Sequence, residues 1–436
     1  MLFFRQQLLP MLLGASLMQT AAAQIASNGT PPTLAKTSPL TAPPEWPQLS
    51  ELDGQLTKEA FDIVWQGVYA GDKNLPAPWT VLTETLEVET GNPTAPYQRI
   101  KFRPSDVTTP PPVRYWRTPE ELPARGENAV LSDVHIALDP GHIGGDFAKM
   151  EERYLCFDPS KPDIAVREGN STLEVALALK SRLEAEGARV SLVRDKLGPS
   201  TPARPSDMMA AARTVLAEAG IKSPAESYNG LTGDQKLITV QWQAEKLFYR
   251  VAEIRARADR VNHVLKPDLV VCLHLNAESW GDSTQPQYSA VNHFHILING
   301  CYSPQELQYA DVRHELLTRI FTGTHGVELP LAEAVASAVA STTGLPPYVY
   351  TTPNARLMGT SSYVYARNLL ANRIFRCPVI YLEPYVMNHK ESYDRLLRGH
   401  FMGRTLIDGR LQSSIIDDYA RGVARGIISY FKERRK

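Results

Sequence analysis

The sequence predicts an α/β fold, a three-layer αβα body around a largely parallel central sheet, preceded by a small α+β N-terminal segment. Two observations carry the body. From about residue 131, short apolar runs alternate with amphipathic helical stretches, the pattern of a sheet flanked by its crossover helices. The runs at 136–138, 270–273 and 379–382 are continuously apolar, as in strands covered on both faces. A third observation sets the front apart: much of the chain's content of 33 prolines lies before residue 130.

The elements follow in order. Residues 1–23 read as a secretory signal, with Arg5 in the positive region, an apolar stretch over 8–17 and Ala21-Ala22-Ala23 as the small-residue cleavage site. Pro10 and Gln19 interrupt that stretch, so it falls short of the roughly 18 apolar residues of a membrane span, and no cysteine follows it to carry a lipid. The expectation is export, to a periplasm or outside the cell. Residues 24–45, rich in Pro, Thr and Ser, read as a linker. Over 46–128 a small region follows, with a helix at 56–69, one strand at 79–89 and a second at 97–102. The body at 129–436 opens with a strand at 134–138 and a helix at 171–186 that Gly187 stops. A strand at 188–193 closes on Arg194, and an insertion near 198–245 precedes a long helix over 241–264. Strands at 269–273, 294–298 and 379–382 follow, with a further insertion near 300–330, an Ala-rich helix at 331–342 and a final helix over 415–436.

Composition narrows the function. The chain has 436 residues, 43% hydrophobic and 21% charged, with a net charge of −1. It therefore has neither the basic field that nucleic acid requires nor an acidic disordered tail. Cys272 and Cys377 fall inside predicted strands and read as small buried apolar residues, while a bridge between Cys156 and Cys301 stays open.

The chemistry gathers where apolar strands end. The first strand breaks on Asp139-Pro140-Gly141 and is followed by His142, the third runs into His274, and the last runs into Glu383. Glu168 stands just before the first helix of the body. Ligands in open α/β sheets bind beyond the carboxyl ends of strands, so two histidines and two carboxylates share one rim. Two imidazoles and a carboxylate suit zinc with an open position for water, and a further carboxylate can move protons. Singly, each residue has a plainer reading: a hydrogen-bonded strand-end histidine, a helix-start acid favoured by the dipole, a loop carboxylate. Their common placement is what points to a site. His293 and His295, two apart, share a strand face and read as a metal pair or as a structural or substrate-side pair; His389 and His400 read as surface residues.

The stretches D-P-G-H-I-G-G-D, R-E-G-N, V-S-L-V-R, C-L-H-L-N-A and V-I-Y-L-E-P-Y-V-M-N-H-K-E resemble, in order, the motifs of the zinc-dependent N-acetylmuramoyl-L-alanine amidases of the type 3 amidase family. The resemblance covers about residues 131–436. It implies a peptidoglycan hydrolase with one zinc ion held by His142, Glu168 and His274, and with Glu383 as catalytic carboxylate. It gives Asn276 and Arg194 substrate-binding or supporting roles. Peptidoglycan is the implied partner, a regulatory protein is allowed for, and a monomer is favoured. Ile143 departs from the pattern, since the family usually has glycine directly after the first histidine. The spacings are also long, with Glu168 26 residues and His274 132 residues beyond His142, so added loops are expected to border the cleft. Two other readings remain: a zinc hydrolase of the same fold acting on another amide or peptide, and a non-catalytic wall-binding regulator.

Overall fold

The computed structural model describes residues 36–72, 75–122, 129–281 and 286–435; the signal reading at 1–23 lies outside them. Near the front, β1 (Trp79–Val81), β2 (Thr85–Glu89) and β3 (Tyr97–Lys101) form an antiparallel sheet in that order. The single strand expected over 79–89 is thus a hairpin, in which Leu82 N–H donates to the Thr85 carbonyl at 2.8 Å. A short helix, α1 (Lys58–Val64), opens on Thr57, whose hydroxyl accepts the Ala60 N–H, and continues as a wider turn over Trp65–Tyr69.

This region shares one hydrophobic core with the body. Phe61 and Phe102 pack against Phe321, with ring centroids 5.6 Å and 6.2 Å apart. Tyr302 N–H donates to the Tyr69 carbonyl at 2.7 Å, and Gly71 N–H to the Tyr302 carbonyl at 3.0 Å.

The central sheet has seven strands. In chain order they are β4 (His135–Pro140), β7 (Arg189–Leu192), β8 (Leu269–Leu273), β9 (Phe294–Ile298), β10 (Arg356–Leu357), β11 (Val364–Ala366) and β12 (Val379–Pro384); in space they run β10-β11-β9-β12-β8-β4-β7. β5 (Tyr154–Leu155) and β6 (Val166–Arg167) form a separate two-stranded ribbon. The block β12-β8-β4-β7 is parallel, β9 is antiparallel to β12, and β11 runs parallel to β9. All residues of β4, β8 and β9 are buried, which explains their lack of polar alternation.

One face carries α2 (Glu168–Ala185), which begins at Glu168 rather than at residue 171. The other face carries a helical stretch over 240–265, α3, with two wide turns and a left-handed stop at Lys266. Within the segment expected as an insertion at 300–330, α4 (Ala310–Thr322) is regular helix. α5 (His325–Thr343) starts earlier than 331 and carries Pro330 inside it, in the second turn. The last helix, α6 (Ile415–Arg434), packs against both α2 and α5. A Cβ on Gly426 would lie 2.4 Å from the Val335 Cα, so glycine is what lets α6 approach α5. All four cysteines are free, which removes the Cys156–Cys301 bridge.

Candidate active site

The site is built from the turn that ends β4. Gly141 N–H donates to the Leu273 carbonyl at 2.7 Å and prolongs the β4–β8 ladder. A Cβ there would sit 2.3 Å from the His274 ring, so only glycine lets the two strand ends come together. His142 then takes a left-handed conformation, φ +59°, which costs a non-glycine residue about 1–2 kcal/mol.

Two buried groups hold that turn. Arg257 of α3 donates to Asp139 Oδ1 (2.9 Å), the Pro140 carbonyl (2.7 Å) and the His142 carbonyl (2.8 Å). From the other side, Glu151 accepts the Ile143 N–H (2.9 Å) and the Gly144 N–H (3.1 Å), and its Oε1 stands 3.3 Å from His142 Nδ1. A carboxylate on one imidazole nitrogen orients the other toward a ligand. That other nitrogen, His142 Nε2, lies 3.2 Å from Glu168 Oε2.

Glu168 sits in the first turn of α2, where the helix dipole favours a carboxylate. Its Oε1 accepts the Leu275 N–H at 3.0 Å and lies 3.2 Å from His274 Nδ1. Oε2 is buried and accepts no well-aligned hydrogen bond, with Arg153 Nε 3.0 Å away. His274 is fixed by its own N–H bond to the Leu382 carbonyl (3.0 Å) and by stacking on Tyr381 at 4.3 Å. One nitrogen or oxygen from each of His142, Glu168 and His274 lies within 4.8 Å of the others, and no other such group exists among the described residues. Two imidazoles, one carboxylate and a buried oxygen without a hydrogen bond fit a divalent cation.

Electrostatics separates the two carboxyls. Burial works against ionised Glu168, but His142, His274 and Arg153 outweigh it and hold the carboxyl at about 2. Burial also holds His142 well below the usual imidazole range, against the pull of Glu168. Glu383 follows the β8–β12 pair Leu273↔Leu382, so it stands beside His274 on the same face. Burial and then the Glu168 charge push Glu383 well above the usual carboxylate range, against the pull of Arg153 and Arg367. A carboxyl shifted upward in this way suits proton transfer near neutrality.

A stability test follows from Glu168. Its folded pKa lies below the unfolded value, so its contribution is complete above about pH 4.5 and is lost as pH falls toward about 2. For this nearly fully buried group the shift corresponds to about 3 kcal/mol. Metal-free protein should therefore lose stability steeply through that window in denaturant titrations, and Glu168→Gln should flatten the slope.

Ile143, the residue that departs from the family pattern, is fully buried at the centre of a second, smaller core. Met208, Ala212, Leu216, Val240, Leu247 and Phe248 surround it. The segment expected as an insertion at 198–245 thus packs onto the residue next to His142. Ile143→Ala should cost about 2–5 kcal/mol in chemical denaturation, and protease should then cut first within 198–245.

No family model matches the chain. No curated protein matches it either. Among solved structures it is similar to the N-acetylmuramyl-L-alanine amidase Ami1 from Mycobacterium smegmatis, at 16% identity and a TM-score of 0.38, over 70% of this chain and 99% of that one. It is also similar to the CwlD amidase from Clostridioides difficile, in complex with the GerS lipoprotein, at 12% identity and a TM-score of 0.37, over 69% and 100%. A third is the catalytic domain of CwlV from Bacillus (Paenibacillus) polymyxa var. colistinus, at 14% identity and a TM-score of 0.35, over 69% and 98%. Similarity at this level assigns no activity.

The remaining sequence candidates have definite places. Arg194 is buried and donates to the Gly169 carbonyl (2.7 Å) and the Lys196 carbonyl (2.9 Å), tying the start of α2 to the loop after β7. Asn276 joins strand ends, with its N–H on the Tyr385 carbonyl (2.9 Å) and its carbonyl accepting the Met387 N–H (2.8 Å). His293 and His295 do not form a metal group: His293 Nε2 lies 3.0 Å from Glu278 Oε1, and His295 Nε2 lies 3.0 Å from the Tyr350 hydroxyl. His400 is exposed and His389 half-buried. Glu151, Arg153 and Arg257 were not singled out from the sequence. Glu151 and Arg153 sit in the longer His142–Glu168 spacing, and that length was their only signal.

Proposed function

We propose that the chain is a zinc-dependent N-acetylmuramoyl-L-alanine amidase, hydrolysing the amide between N-acetylmuramic acid and the first L-alanine of the peptidoglycan stem. The observation that carries this reading is the His142–Glu168–His274 group with Glu383 beside it on the next strand. The ordered motif resemblance supplies the substrate. His142, Glu168 and His274 would hold the metal, with Glu151 and Arg257 fixing the turn that presents His142. Zinc there supplies polarisation of the scissile carbonyl, a water of lowered pKa and a charge that offsets that of Glu168.

Glu383 takes the proton from the attacking water, whose oxygen bonds to the carbonyl carbon. It returns that proton to the leaving nitrogen as the C–N bond breaks, giving a lactyl carboxylate and a free alanine amine. Arg153, which pairs with Glu168 and whose charge also acts on Glu383, lets both carboxyls occupy one cleft. Catalysis is assigned to residues 129–436, and export follows from the signal reading; no described helix is long and apolar enough to cross a membrane. Digestion of purified peptidoglycan tests the assignment. New amino termini should be L-alanine on stems freed from intact glycan, and any other new terminus would place the chain among hydrolases of a different bond.

A further inference from the structure

We propose that Arg367, Tyr350 and His295 form a subsite on the Glu383 side of the cleft that binds a carboxylate of the peptide stem. The inference rests on the amidase reading above and names what holds the peptide side of the scissile bond.

The sheet register brings the three together. The antiparallel β9–β12 ladder pairs His295 with Glu383, so the two side chains stand next to each other on one face. The β9–β11 ladder pairs Leu297 with Tyr365, and Arg367 N–H donates to the Ile298 carbonyl at 3.0 Å. Arg367, two residues beyond Tyr365, therefore shares that face. Its Nη1 donates to the Tyr350 hydroxyl at 3.2 Å, and that hydroxyl lies 3.0 Å from His295 Nε2.

Counting hydrogens along this chain leaves a surplus of donors. His295 is only 4% exposed, and burial, with His293 and Arg367, lowers it to about 3, so the ring is neutral. Tyr350 accepts from Arg367 and has one hydroxyl hydrogen to give. Donated to Nε2, it puts the imidazole hydrogen on Nδ1, which is buried and has no partner. The reverse assignment strands both the hydroxyl hydrogen and the Nδ1 lone pair, so the first is favoured. Arg367 is half-buried and forms no ion pair with any described carboxylate, and its charge acts on Glu383. By contrast, the neighbouring His293 is answered by Glu278 at 3.0 Å.

A half-buried guanidinium beside the reacting centre, without an ion pair among the described residues, calls for an acceptor, and a carboxylate matches its fork best. In the proposed substrate the free carboxylates lie on the peptide side, whereas the sugar side offers hydroxyls and a neutral acetamide.

The test uses two soluble N-acetylmuramoyl dipeptides, one ending in a free carboxylate and one in the carboxamide. The wild-type chain should cleave the carboxylate form with a kcat/KM higher by roughly tenfold or more, the range for a hydrogen bond to a charged group. Arg367→Gln should bring the two substrates to near parity by raising KM for the carboxylate form, and Arg367→Lys should restore part of the preference. Should Arg367→Gln fold poorly, Tyr350→Phe removes one hydroxyl only and should narrow the same ratio. No preference in the wild type, or an unchanged ratio in Arg367→Gln and Tyr350→Phe, overturns the subsite. Failure of the wild type to cleave either dipeptide while releasing stems from polymeric peptidoglycan also overturns it, since the subsite would then not suffice to hold the peptide. Failure on peptidoglycan as well would instead strike the amidase reading.

Discussion

Glu383→Gln should lower kcat by roughly 10²- to 10⁴-fold, the range for loss of a positioned acid–base group, while one metal ion per chain remains bound. The substitution keeps the shape of the side chain and removes its capacity to carry a proton. The Glu383 carboxyl makes no hydrogen bond among the described residues, and the strand is held through its backbone, so the change should leave the strand ends in place. Stability should even rise slightly, because the carboxyl is held in a buried position beside the Glu168 charge. Stopped assays with elemental analysis on the same sample check both halves. Full turnover in this variant would remove Glu383 from the chemistry.

His142→Ala should lose metal and turnover together. The imidazole faces Glu168 Oε2 at 3.2 Å, and without it the group keeps two of its three donors. Activity should fall by roughly 10³-fold or more, the several kcal/mol that metal polarisation supplies. A milder companion is Glu151→Gln, which weakens the carboxylate behind His142 Nδ1 and should cost about 10- to 100-fold in metal affinity. Equilibrium titration with a competing chelator separates the two: loss of binding for His142→Ala, a displaced curve for Glu151→Gln. Retention of stoichiometric metal by His142→Ala would contradict the ligand assignment.

Much of this site was legible in the sequence because strand ends are local events. An apolar run that breaks on Pro140-Gly141 places the next side chain at a sheet edge whatever the rest of the chain does, and the same holds for His274 and Glu383. Glu168 was legible as a helix-start carboxylate. The groups that hold these residues were not: Arg257 reaches the β4 turn from far along the chain, in α3, and Arg153 comes from a nearby loop with no helical or strand period. Ile143 looked like a departure beside the first histidine, and its reason lies in a core formed by residues 60 and more positions away. The 79–89 run alternated as one strand would, and only the Leu82–Thr85 turn divides it. The segment at 300–330 lacked the spacing of the body strands, and its helix α4 is held by Phe321 against Phe61 rather than by the sheet.

The most direct measurement is mass spectrometry of the products released from purified peptidoglycan, made with active protein, after removal of metal by a chelator, and after zinc is returned. The account predicts stem peptides with free L-alanine amino termini in the first and third samples and none in the second. Release that persists unchanged after the metal is stripped, or products cut at another bond, would contradict it.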